Sequence, residues 1–482
     1  MEKQLPKNWI NVNLQDVTKN VKGKKPKIQS EVEFEGSIPY MDIKALEYHV
    51  IRQFVDIESS KQFDEGDVAM VWDGARSGWV SKTNFGAIGS TLVAFKPVKI
   101  NSNYLFYYLL EKYPFINSNA RGVGIPHVDP TVLWGLDFPL PPLSEQNRIV
   151  AKLDTLFAQL ETIKASMAKI PVLLKEFRQQ VLTQAATGKL TEEWRKGKEL
   201  GDSKELLSKI KEYYSSNKRW KEINIKSEDY LSIPATWQKS FIGNIADVSN
   251  GSTPSRKESS YWNGHIAWIG SAFIQNNRIL SVNEFITDEG FKNSSVKLLP
   301  KGTVLIAMIG EGKTRAQSAI LDLEATINQN IAAMNIDHGF VKSEFLQYYL
   351  ISNYDKHRSV GNGTGPQALN CQKVRELEFV LPPVEEQQEI VSRVESLFAK
   401  ADAIEQQYKS LKDKIDALPQ ALLHKAFKGE LTEQLESDGD ARELLQQIQE
   451  LKNGTVKPKK ATSKKVKKYP ENETVLGMVA EE

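Results

Sequence analysis

The sequence predicts an α+β chain in which two mixed α/β domains are separated by a long antiparallel helical (coiled-coil) connector, organised as a pseudo-two-fold internal repeat. Three observations predict it. Residues 138–192 return without a gap as residues 379–433, with 19 identities in 55 positions at a constant offset of 241. Both copies place apolar residues at alternating spacings of four and three. The stretch ahead of each copy holds short β-rich runs bounded by Gly, Asp and Lys turns. Tandem repeats of roughly 20–50 residues would mean a solenoid, whereas one long unit occurring twice with unlike sequence between means two similar halves.

The first globule spans residues 1–137. Its runs at 68–72 and 90–95 read as strands, and the Tyr-Tyr segment at 104–109 reads as an amphipathic helix. The second globule, 233–378, echoes it weakly. Trp9 and Trp237 close similar pentapeptides, residues 303–309 read as a strand, and 345–350 repeat the Tyr-Tyr helix. Likeness is strong between the connectors and weak between the globules, so shape is shared and surface chemistry is not.

The connectors occupy 138–222 and 379–452. Tandem prolines (Pro141-Pro142 and Pro382-Pro383) precede each helix and disfavour helical geometry just before it. The first seam runs through Ile149, Leu153, Leu156, Leu160 and Ile163, and the second through Ile390, Val394, Leu397, Ile404 and Leu411. This is the a/d pattern of a coiled coil, and the shared register predicts that the two seams bury each other. Gly188 and Gly429 stand where a left-handed residue would end each helix. Unbroken, the first helix would be roughly 65 Å long; Pro171 predicts a kink or split. A second, shorter helix comes after each rod, at Asp202-Ser-Lys-Glu-Leu-Leu and Asp440-Ala-Arg-Glu-Leu-Leu. Residues 453–482, Lys-rich and then acidic, read as a disordered tail.

Composition narrows the chemistry. The length of 482 residues permits two to four domains, and the net charge of +2 means that any nucleic-acid surface must be local. No apolar stretch approaches the ~20 residues of a membrane span, and the N-terminus resembles no signal peptide. One cysteine excludes an intrachain disulfide, and the six histidines form no ligand-spaced cluster, so neither a metal site nor a disulfide is expected. A cytoplasmic location follows as the expectation.

Residues 307–314, ending Gly-Lys-Thr, fit a relaxed phosphate-loop pattern. The residues after Thr314 alternate like a strand instead of opening a helix, so a basic hairpin tip is the better reading. A nucleotide-driven enzyme using Lys313 is thereby disfavoured. The Pro-Pro pairs lack the polar leader and aromatic of an adenine methyltransferase motif, and no nucleophile–base arrangement is present. No catalytic residue is assigned.

Basic and polar loop segments favour binding. The first globule offers Lys22, Lys24, Lys25, Arg76, Ser77, Arg121 and His127. The second offers Ser252, Thr253, Arg256, Lys313, Arg315, Asn362, Thr364 and Gln367. Lys and Ser/Thr suit phosphate oxygens, whereas Arg, Asn and Gln can pair with base edges.

Over nearly its whole length the chain resembles the DNA-specificity subunits of type I restriction-modification systems. The resemblance rests on the Leu-Pro-Pro-Leu-Ser-Glu-Gln146 and Leu-Pro-Pro-Val-Glu-Glu-Gln387 helix starts, the Leu-Phe-Ala helices, the Gly-Lys-Leu-Thr-Glu192 and Gly-Glu-Leu-Thr-Glu433 exits, and the segments 306–315 and 325–330. Pro171 and the Lys-rich extension match no shared motif. The resemblance implies that each globule is a target-recognition domain reading one half of a split, asymmetric site on double-stranded DNA. It implies connectors that set the spacing between halves and dock two adenine-N6 methyltransferase subunits, joined by restriction subunits. S-adenosylmethionine, ATP and Mg2+ would then belong to those partners, with no cofactor on this chain. The competing reading is a structural coiled-coil protein with paired protein-binding domains.

Overall fold

Continuous apolar runs, too hydrophobic to face water on either side, build the central strands of each half. The computed structural model describes residues 5–83, 85–215, 220–224, 233–310, 312–360 and 368–453. The chain divides into two units, Met1–Met167 with Ser410–Glu482, and Ala168–Lys409.

The strands of the first unit include β1 (Ile10–Asn13), β2 (Thr18–Lys22), β3 (Ser37–Met41), β4 (Val68–Val71), β5 (Val80–Lys82), β6 (Ala87–Ile88), β7 (Leu92–Pro97) and β8 (Asp137–Leu140). Helix α1 (Ser102–Ser118) precedes β8, and α2 (Leu143–Met167) follows it. Strands pair antiparallel in the order β2-β7-β4-β5, and β3 runs parallel to β6. Helix α1 buries Tyr104, Leu105, Tyr108 and Leu109, one face of a 3.6-residue period. The hydroxyls of Tyr104 and Tyr108 donate to the carbonyls of Pro139 (2.8 Å) and Asp137 (2.9 Å), so these aromatic side chains bury no unpaired O–H.

The second unit repeats this plan. It begins with α3 (Ile170–Thr187) and α4 (Ser203–Ser215). Its strands include β9 (Gln238–Phe241), β10 (Asp247–Asn250), β11 (Trp262–Ile269), β12 (Val304–Ala307), β13 (Ser318–Leu321), β14 (Thr326–Ile327), β15 (Ile331–Asn335) and β16 (Glu378–Leu381). Helices α5 (Ser343–Ser352) and α6 (Tyr354–Ser359) precede β16, and α7 (Val384–Phe427) follows it. The strand order β10-β15-β12-β13 matches β2-β7-β4-β5, with a fifth strand, Arg278–Ile279, added parallel to β13 in the second unit, and β11 runs parallel to β14 as β3 does to β6. The phosphate-loop-like segment joins β12 to antiparallel β13 as a hairpin, with no helix behind it. A last helix, α8 (Ala441–Lys452), lies in the first unit.

Pro171 divides the first connector: α2 ends at Met167, and the proline sits in the first turn of α3, where its missing N–H is not needed. The second connector is the single helix α7, despite Pro419 inside it. Gly188 (φ +75°) ends α3 and Gly429 (φ +71°) follows α7, both left-handed. In the second unit, rising numbers on one helix meet falling numbers on the other. Arg178 bonds Asp402 (2.6 Å) and Glu405 (2.9 Å), Arg393 donates to the Leu190 carbonyl (2.9 Å), and Thr191 reaches Glu386 (2.7 Å). The pairing of α3 with the first half of α7 is therefore antiparallel.

The seam is closed near the globules and open farther along. Ile149, Leu153, Leu160, Ile390 and Val394 are buried, and Leu156 and Leu397 are half-buried. Ile163 (46%), Ile404 (48%) and Leu411 (50%) are exposed, where the heptad pattern predicts mutual burial. Near the globules a third wall exists: Ile149 and Leu153 share one core with Tyr104, Tyr108, Phe138, Leu423 and Phe427.

Each unit is closed by the exit segment of the other repeat. In the second unit, Glu386 is fully buried and accepts from the Trp237 indole (2.9 Å), from Thr191 (2.7 Å) and from Arg195. In the first unit, buried Glu145 accepts from the Trp9 indole (2.8 Å), from Gln434 (3.0 Å) and from Thr432 (3.3 Å). A Cβ at Gly188 would meet Pro234 and Trp237, and one at Gly429 would meet Pro6 and Trp9. The exit motif at 188–192 thus seals the globule that comes after it in sequence, and the motif at 429–433 seals the first.

Candidate nucleic-acid interface

Strand register gathers the candidate residues of the first unit at one end of its sheet. Lys22 pairs with Val93, Val71 with Leu92 and Met70 with Val80, so the ends of β2 and β4 and the starts of β7 and β5 lie together. The loops leaving that end are 23–28 and 72–79. The segment 121–128 joins them, because Gly74 N–H donates to the Pro126 carbonyl (2.7 Å) and Val128 N–H to the Trp72 carbonyl (2.9 Å).

The second unit does the same. Asn250 pairs with Ala332, Ala307 with Ile331 and Ile306 with Ser318, bringing loops 251–258, 308–317 and 328–330 to one end. Leu369 N–H donates to the Met308 carbonyl (2.9 Å), the counterpart of Val128 on Trp72. Asn362, Thr364 and Gln367 lie outside the described residues, as does the tail from 454.

Glycines fix how closely these loops hug the small sheets. A Cβ on Gly23 would sit 2.0 Å from the Gly89 carbonyl oxygen, and one on Gly251 would sit 1.8 Å from that of Ile327. Three residues on, Pro26 and Pro254 are both buried. The Gly-x-x-Pro turn is therefore a shared device of the two units.

The side chains divide into exposed and interior sets. Lys22, Lys24, Lys25, Arg76 and Arg121 are exposed; Lys22 lies 3.3 Å from Asp73, Arg76 lies 2.6 Å from Glu47, and Arg121 pairs with Asp129. The Glu47 carboxylate raises the Arg76 guanidinium above its usual range. No ion pair involves Lys24, Lys25 or Lys313 among the described residues. His127 is half-buried and its backbone pairs with both Asp73 and Arg121. Ser77 is fully buried, and its carbonyl accepts from Asn117 (2.8 Å); it supports its loop from inside and cannot reach a phosphate.

In the second unit Arg256 is stacked, its guanidinium carbon 3.7 Å from the Trp262 ring centre and 4.9 Å from that of Trp268, and it pairs with Glu284 (2.6 Å). The two indoles donate to the carbonyls of Ser255 (3.1 Å) and Ser252 (3.0 Å), pinning the loop at both ends. Thr253 donates to the exposed Gln329 (2.6 Å). Lys313 is exposed on the hairpin, whose carbonyls are held from α6: Tyr354 donates to Lys313 O (2.6 Å) and Arg358 to Gly312 O and Arg315 O. Arg315 is buried (5% exposed), so its side chain belongs to the hairpin's base and not to the outer surface.

Sequence reasoning missed Gln329, the acids Asp73, Glu47 and Glu284, and the paired tryptophans. Gln329 lies in a segment already singled out for its resemblance, but partners that meet only through sheet register leave no local signal.

A family model described as the type I restriction modification DNA specificity domain matches residues 6–171 and 234–413. The chain belongs to the type I restriction-modification DNA specificity family. This specificity subunit is similar to that of type I restriction enzyme EcoDI of Escherichia coli, 28% identical over 440 residues, covering 89% of this chain and 90% of that one. It is also similar to the EcoBI specificity subunit of Escherichia coli, 29% identical over 354 residues, covering 70% and 67%. Its fold matches the crystal structure of the HsdS subunit from Thermoanaerobacter tengcongensis with a TM-score of 0.60 over 89% of this chain and 99% of that chain, at 18% identity. Specificity subunits are the non-catalytic members of their systems; they bind DNA and assemble with other subunits. Among the described residues no helix is long and apolar enough to cross a membrane.

Proposed function

We propose that each unit reads one half of a bipartite, asymmetric DNA site through the loops at its sheet end. Globules 1–137 and 233–378 act as the two readers. The single observation carrying this is the coincidence of site and fold: in both units the basic and polar loops leave the same end of four strands arranged in the same order. Like mounts with unlike loops suit an unsymmetrical target, as dimer geometry suits palindromes. Exposed ion pairs such as Lys22–Asp73 contribute little in water, so their cations can exchange an internal acid for a phosphate at small cost.

The helices serve as spacer and mount. They dock two adenine-N6 methyltransferase subunits, to which restriction subunits add, and the separation of the readers sets the unread base pairs between half-sites. The open seam positions support this reading, because unpaired apolar a/d side chains are what an added helix would cover. S-adenosylmethionine, ATP and Mg2+ then act on the partners, in the cytoplasm.

The test is the full chain assembled with methyltransferase subunits and read out by mapping methylated adenines. The expected result is one split motif with two unlike halves at fixed spacing. Methylation without sequence preference would remove the proposal.

A further inference from the structure

The loop 122–126 at the reading end of the first unit has a feature that charge does not explain. Val123 is 109% exposed and Ile125 71%, so two aliphatic side chains stand in water among cations. Single exposed aliphatics are ordinary. Two on one rigid tip are not, because a free loop would fold them back. This loop cannot. Arg121 and His127 exchange reciprocal backbone hydrogen bonds of 2.9 and 2.7 Å, which close its base. Arg121 is tied to the buried carboxylate of Asp129. Gly122 holds φ +113°, and a Cβ there would lie 2.5 Å from the Ile125 carbonyl oxygen, so the turn tolerates no other residue without shifting. The base is clamped to the neighbouring loop by the Gly74–Pro126 and Val128–Trp72 hydrogen bonds.

We propose that this tip is an apolar wedge that inserts Val123 and Ile125 at a base step of the first half-site. The inference rests on the reading of this unit as a DNA reader and deepens it by naming the mode of contact. A surface with anionic rails and an apolar stacked interior is what such a tip fits: Lys22, Lys24, Lys25 and Arg76 on the adjoining loops meet phosphates while the aliphatic side chains unstack a pair of adjacent bases. A protein partner suits it less, since two side chains are far below the apolar patch that a stable protein interface needs.

The experiment uses the full chain assembled with its methyltransferase subunits, and duplexes carrying the mapped target. A fluorescent adenine or guanine analogue replaces each purine of the first half-site in turn, and an end label reports binding by anisotropy. The expected result is a several-fold rise in analogue fluorescence at one step with the natural chain. With Val123→Ser/Ile125→Ser that rise disappears, and affinity falls about tenfold or more, while a saturated complex still forms. Ile125→Leu retains the rise. A specific complex without unstacking at any step overturns the wedge and leaves DNA reading intact, as does an unchanged rise with the double variant. Loss of subunit assembly in the double variant without DNA would assign the tip to a protein contact and overturn it too. If neither protein forms a sequence-specific complex, both the wedge and the reading fall.

Discussion

Replacing Glu386 by alanine is expected to destabilise the second unit by about 3–5 kcal/mol. The carboxylate is fully buried and is the common acceptor for the Trp237 indole, the Thr191 hydroxyl and the Arg195 guanidinium. Removing it leaves an indole N–H, a buried hydroxyl and a mostly buried cation without their acceptor. Each neutral orphan costs about 1–3 kcal/mol, and the cation more. Glu145 is the matching residue of the first unit, but its partners Trp9, Gln434, Thr432 and Asn8 are all neutral. Glu145→Ala should therefore cost less, and Glu145→Gln least. Amide hydrogen exchange checks this by region. Protection of Val304–Ala307 should fall about a hundredfold or more in Glu386→Ala, and equal protection in variant and natural chain would contradict the buried-anchor role.

Gly251→Ala carries the largest expected effect on recognition. The new Cβ would lie 1.8 Å from Ile327 O and 2.4 Å from Ile327 C, and backbone atoms cannot step aside as a side-chain tip can. The loop bearing Ser252, Thr253 and Arg256 must move away from β14, at an overpacking cost of about 1–3 kcal/mol. Binding to the specific site should fall about tenfold or more. The loss should concentrate in the second half-site, so that base changes there no longer matter while changes in the first half still do. Gly23→Ala should do the converse, its Cβ lying 2.0 Å from Gly89 O. Gly201 lies outside the reading loops and a Cβ there would come no nearer than 4.0 Å to another atom, so Gly201→Ala is the control expected to leave both half-sites unchanged. Titration of labelled duplexes altered in one half at a time distinguishes these outcomes. Equal loss at both halves would contradict a loop-local effect.

The connector was the most legible region of the chain. A heptad pattern with Pro and Gly at its ends is local, and the helix break at Pro171 and the left-handed ends at Gly188 and Gly429 arise from residues within a few positions. The hairpin at 308–317 was legible for the same reason, since a strand-like alternation behind Gly-Lys-Thr is incompatible with a phosphate loop. What stayed hidden depends on contacts far apart in sequence. The Gly-x-x-Pro turns recur at an offset of 228 whereas the connectors recur at 241, so a comparison at the connector offset passes over them. The inward turn of Ser77 and Arg315 depends on packing from Asn117 and α6. A duplicated exit motif also says nothing about which globule it seals; buried Glu145 and Glu386 with their Trp and Thr partners decide that.

Exchange of residues 1–137, within the otherwise natural chain, for the first globule of another family member tests independent reading most directly. Adenine methylation is then mapped for the natural and exchanged complexes. Only the first half of the motif should change, with the second half and the number of bases between them kept. Both halves changing together would contradict two separate readers on one mount.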